Sequence, residues 1–93
     1  MRKFNEKSNL AGNVIKKYRL KNNLSGEELA KQLQLKGLDV DRSYIFRIEK
    51  HKAIIKDFEL IHICEVLGIN YQDLRDELNK ELDNSKNELN QIS

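Results

Sequence analysis

Residues 19–49, RLKNNLSGEELAKQLQLKGLDVDRSYIFRIE, hold two short helical patterns separated by a glycine turn, and their reading decides the fold. Ser25 followed three residues later by Glu28 is a capping box, which announces a helix start. Behind it, Leu29, Ala30 and Leu33 recur on one face. Gly37 supplies the positive φ that a sharp turn requires. Asp41 then caps a second helix, expected over residues 41–50, in which Ile45 and Ile48 face inward. Arg42, Ser43, Tyr44, Phe46 and Arg47 occupy the sides that this apolar stripe leaves free. A helix anchored by one face and carrying arginines on another is suited to a DNA groove.

Working outward, a preceding helix is expected to begin near Ser8 or Asn9, either of which can cap it. Leu10, Val14, Ile15, Tyr18 and Arg19 follow at helical spacing, and Asn22-Asn23 closes it. On the other side, the connector HKAIIK contains apolar residues that must pack in part. Asp57, or Lys56 before it, opens a fourth helix with Phe58, Leu60, Ile61, Ile63, Cys64 and Leu67. Being apolar nearly all round, it is expected to be the most buried of the helices. Gly68 ends it. Asn70 caps a fifth, where Leu74, Leu78 and Leu82 recur every four residues. The reading is an all-α, compact five-helix bundle: a mobile arm over residues 1–8, a domain over 9–78, and a helical or frayed extension over 79–93.

Composition agrees. Ninety-three residues suit one small domain, and the absence of proline with 34% charged residues favours helix. Cys64 stands alone, which excludes an internal disulfide and fits a reducing compartment. No stretch approaches the roughly 18 apolar residues of a membrane span, and the N-terminus has no apolar secretory region. The expected location is the cytoplasm, away from membrane.

The net charge of +2 conceals a division: residues 1–56 carry fourteen Lys and Arg against six acids, and residues 57–93 three against nine. A basic half facing a polyanion and an acidic half facing elsewhere is the physical implication. His51, His62 and Cys64 do not form a metal site, because His62 and Cys64 point to different helix faces. No zinc spacing, phosphate loop, dinucleotide glycine pattern or nucleophile elbow occurs. Neither an enzyme nor a cofactor is expected.

In order along the chain, Ile15…Arg19, Leu24-Ser25, Glu27-Glu28-Leu29-Ala30, Arg42-Ser43-Tyr44-Ile45, Arg47-Ile48-Glu49 and Ile63…Leu67-Gly68-Ile69 resemble the phage-repressor and Cro-type helix-turn-helix family, also called the xenobiotic-response-element type. The resemblance runs from about Leu10 to Leu74. It implies a lambda-repressor-like bundle whose third helix reads base edges in the major groove. Carried over by position, Arg42, Ser43 and Arg47 read bases, with Arg42 first because its fork matches guanine O6 and N7 together. Phe46 stands where the family more often has a small or polar residue. It either touches a thymine methyl or sugar, or covers the turn. Tyr44 joins the candidate base-reading set, although a structural role with its hydroxyl near the backbone or a phosphate is the alternative.

The resemblance further implies phosphate contacts from Ser25 and Gly26 at the second helix's start and from Lys50, Lys52 and Lys56, with Lys36, Arg2 and Lys3 behind them. Arg19 and Glu49 fall where the family commonly pairs an arginine with a carboxylate. Two departures stand out. Gly26 replaces a glutamine that usually braces the recognition helix, and the turn around QLKGLDV is about five residues longer than usual, an addition loops tolerate cheaply. Family members bind double-stranded DNA as twofold dimers with half-sites one turn apart. A seam of Leu78, Leu82, Leu89 and Ile92 is the candidate homodimer contact, interrupted at Ser85. The function implied is a transcriptional regulator, a repressor on a partly palindromic operator. The alternative is a protein-interaction module, antitoxin-like or a regulatory partner, engaged through the acidic C-terminal segment.

Overall fold

The computed structural model describes residues 7–92, with side chains through Asn84. Five helices follow one another: α1 Gly12–Lys21, α2 Gly26–Leu35, α3 Arg42–Glu49, α4 Asp57–Leu67 and α5 Tyr71–Ile92. Each boundary has a chemical cause. Asn9 accepts from the Gly12 amide (2.8 Å) and so caps α1 from three residues away. Ser25 and Glu28 close a complete capping box on α2, Asp41 accepts from the Tyr44 amide on α3, and Asn70 does the same for Asp73 on α5.

The first three helices end alike. Beyond each last turn one residue turns left-handed: Asn23 (φ 57°), Gly37 (φ 90°) and His51 (φ 62°). Each following amide reaches back five residues, Leu24 to Arg19, Leu38 to Leu33, and Lys52 to Arg47, which is the Schellman closure. Gly37 needs its glycine for this; His51 holds the same conformation with a side chain, its ring nitrogen Nδ1 lying 3.0 Å from the Asn9 carbonyl.

The core draws on every helix: Val14 and Ile15 of α1, Leu29 and Leu33 of α2, Ile45 and Ile48 of α3, Ile63 and Leu67 of α4, and Leu74 of α5. Burying each such side chain contributes about 1.5–3 kcal/mol. The long turn joins in through Val40, and Gln34 fastens it by donating to the Val40 carbonyl at 2.7 Å. Gly12 sits where the backbones of α1 and α3 nearly touch, so that a Cβ there would collide with the Ile48 carbonyl oxygen. Asn9 bridges the same junction, donating to the carbonyls of Ile48 and Ala53.

Two expectations are corrected. The fourth helix is not buried all round: Ile63, Cys64 and Leu67 are inside, but Phe58 and Ile61 remain about half exposed at 49% and 48%. Among the described residues Phe58 is flanked by Lys56, whose ammonium lies 5.8 Å from the ring centroid, and α5 lies along α1. Of the arm expected over residues 1–8, the last two residues are fastened: the Ser8 amide donates to the His51 carbonyl (2.8 Å), and Lys7 pairs with Glu81. The other six lie outside the described residues. The extension expected over residues 79–93 continues α5, which runs unbroken through Ser85 to Ile92.

The docking of α5 also revises the charge reading. Glu77 takes Lys17 (2.9 Å), Glu81 takes Asn13 and Lys7, and Asp73 lies 3.5 Å from the Tyr18 hydroxyl. Part of the acidic half is therefore spent on α1.

Candidate nucleic-acid interface

The register of α3 sorts its residues into two faces. Ile45 and Ile48 are fully buried and Glu49 nearly so, while Arg42, Ser43, Phe46, Arg47 and Lys50 share the exposed side. Positions i, i+1, i+4, i+5 and i+8 fall within one helical stripe. The face thus carries two guanidiniums, one hydroxyl, one aromatic ring and one ammonium.

The guanidiniums are backed by aromatics of the same helix. Arg42 lies over the Phe46 ring at 5.3 Å from its centroid, and Arg47 over the Tyr44 ring at 5.5 Å. Both distances suit cation–π attraction. Phe46 in turn leans on α2: a Cβ built on Gly26 would stand 3.4 Å from the ring. The ring therefore rests on the start of α2 and not on the turn between α2 and α3, while 36% of the residue stays open to solvent.

Tyr44 leaves the base-reading set. Its hydroxyl is 2.7 Å from Glu59 Oε1 and 2.8 Å from the Ile54 carbonyl, so the polar end points into the protein. Burial, then the carboxylate beside it, push the phenol up to about 12. Glu59 is itself buried and also accepts from the Lys56 amide at the start of α4. This network ties the recognition helix to α4.

The α2 start is less open to a phosphate than the sequence implies. The Ser25 amide already donates to Glu28 (3.0 Å), and the Ser25 oxygen already accepts from the Glu28 amide (3.0 Å). These hydrogen bonds hold the Glu28 carboxyl below its ordinary range. Gly26 is buried beneath Phe46. Lys50, Lys52 and Lys56 are exposed, as is Lys36; Arg2 and Lys3 lie outside the described residues. Lys16 of α1, which the sequence did not single out, lines a shallow groove with Phe46 and Lys50. Its only signal in the sequence was membership of the Lys16-Lys17 pair.

Behind the reading face, Arg19 donates from Nε and Nη2 to the two carboxylate oxygens of Glu49, at 2.7 and 2.9 Å. The dimer candidates divide. Leu78 packs against the core beside Leu60 and is half-buried, as is Leu82, and the side chains of Leu89 and Ile92 lie outside the described residues. Among the described residues no group of His, Cys, Asp and Glu is arranged to hold a metal, and no helix is long and apolar enough to cross a membrane.

Two packed helices, an ordered turn and an arginine-bearing second helix define a helix-turn-helix DNA-binding domain. The helix-turn-helix family model matches residues 15–74, from the core of α1 to the start of α5. The chain belongs to this family, the phage-repressor and Cro-like, xenobiotic-response-element type. No curated protein and no solved structure matches it.

Proposed function

We propose that this protein is a sequence-specific transcriptional regulator that reads DNA with Arg42, Ser43 and Arg47. The observation that carries this reading is the exposed stripe of α3, where both arginines rest on rings and, among the described residues, neither pairs with a carboxylate. Lys50, Lys52 and Lys56, joined by Lys16, supply phosphate contacts, and the amides at the start of α2 add a weaker one. Such contacts set affinity, whereas the arginines set sequence choice. The protein acts as a non-catalytic repressor in the cell interior, occluding a promoter as a homodimer on a partly palindromic operator. Pairing runs along the C-terminal half of α5, from Leu82 through Leu89 and Ile92.

Selection from a random duplex pool tests this. Enrichment of a two-half-site motif, lost when Arg42 and Arg47 are changed to Ala, is the expected outcome. Weak, salt-sensitive binding with no enriched motif would overturn it. One observation favours a second reading, a protein-interaction module: Ile54, Phe58 and Ile61 stay about half exposed. That reading requires a chain that selects no DNA motif.

A further inference from the structure

Phe46 reaches two neighbours at once, Gly26 on one helix and Arg42 on its own. On one side its ring touches the space above Gly26, 3.4 and 3.5 Å from where a Cβ would stand. On the other, the Arg42 guanidinium lies over its face. Arg42 sits in the first turn of α3, where the preceding turn of helix offers no side chain to support a long, flexible arm. Without support, an exposed arginine loses several rotatable bonds' worth of freedom on meeting a base. A ring fixed from behind removes part of that loss before DNA arrives.

We infer that Phe46 is a specificity-determining positioning residue, and that Gly26 fixes it by leaving its ring a seat on α2. The ring holds the Arg42 guanidinium ready for a two-point contact with one base, and Gly26 governs base choice through the ring without touching a base itself. This rests on the proposed base-reading role of Arg42 and assigns that role's precision to a pair of residues on different helices.

Discrimination is measured as the ratio of affinities for the selected duplex and for duplexes changed at one base pair at a time. Arg42→Ala first identifies the pair that Arg42 reads. Phe46→Leu, which keeps apolar bulk and removes the ring face, is expected to lower discrimination at that pair about three- to fivefold, in proportion to an exposed cation–π contact. Phe46→Tyr keeps the ring and is expected to restore discrimination. Gly26→Val carries bulk toward the ring and should reproduce Phe46→Leu.

Thermal melts of every variant identify any that fails to fold, and the Phe46→Leu and Phe46→Tyr comparison decides the matter on folded protein. Unchanged discrimination in Phe46→Leu, or equal loss in Phe46→Tyr, overturns the inference. If Arg42→Ala itself alters no base preference, the base-reading proposal fails first, and the inference falls with it for that separate, visible reason.

Discussion

Arg19 on α1 clasps Glu49 on α3 through two nearly parallel hydrogen bonds, with both side chains buried, and its remaining nitrogen donates to the Leu24 carbonyl at 2.8 Å. One guanidinium therefore holds the recognition helix, its own helix and the entry to α2 in one geometry. The desolvation of two such charges consumes most of their attraction, so the pair contributes orientation more than stability.

Removing one partner is expected to cost far more than removing both. Glu49→Ala strands a buried guanidinium and should destabilise by about 3–5 kcal/mol. Arg19→Met combined with Glu49→Leu should cost much less. A double-mutant cycle in urea measures the coupling, and additive costs would show that the two charges act independently.

Tyr44→Phe separates scaffold from reading face. It deletes the hydroxyl that meets Glu59 and Ile54 and leaves a buried carboxylate short of a donor, a loss of about 1–3 kcal/mol. The base preference of the folded variant should be that of the parent. A changed preference would return Tyr44 to the base-reading set.

The contact between α1 and α5 should weaken in acid. The hydrogen bond and charge of Lys17 hold Glu77 below its ordinary value of 4.5. Burial pushes Glu81 up, but its bonds to Asn13 and Lys7 outweigh that and also leave it lowered. Groups lowered by folding stabilise fully above their unfolded value, and that stabilisation is lost as pH falls through the folded one. Melting temperature should therefore decline below about pH 4.5, less steeply in Glu77→Gln and Glu81→Gln. Identical slopes for parent and variants would place the acid sensitivity elsewhere.

Lysine and arginine substitutions should leave different signatures. Lys50→Ala, Lys52→Ala and Lys56→Ala are each expected to weaken all duplexes alike and to lower the slope of log affinity against log salt by about one. Arg42→Ala should instead flatten preference at one base pair. Titrations across a salt series distinguish these patterns, and a lysine variant with an unchanged slope makes no phosphate contact.

Local chemistry made much of this fold legible. Ser25 with Glu28, Asp41, Asn70 and Gly37 each act within three or four residues, so sequence spacing alone carries their meaning. What escaped depends on partners far along the chain. Tyr44 turns inward because Glu59, fifteen residues on, is waiting there. The exposed side of α4 reads as apolar whether or not anything covers it. Gly12 looks like any helical glycine until the Ile48 carbonyl is placed against it. The left-handed His51 is hidden because its residue type does not announce the conformation. Of the candidate interface, the stripe on α3 could be read from periodicity, while the seat of Phe46 on Gly26 required both helices in place.

The fastening of α5 to α1 has a kinetic consequence. Lys17, which Glu77 holds, and Arg19, which faces α3, stand about 200° apart around α1. Glu77 and Glu81 are paired with Lys17 and Lys7, while the exposed side of α3 carries Arg42, Arg47 and Lys50, so charge is unevenly spread over a chain of modest net charge. In the field of a polyanion such a body experiences torque before it experiences contact. It arrives already turned, with its cationic stripe leading, and the advantage in encounter rate fades as salt shortens the reach of the field.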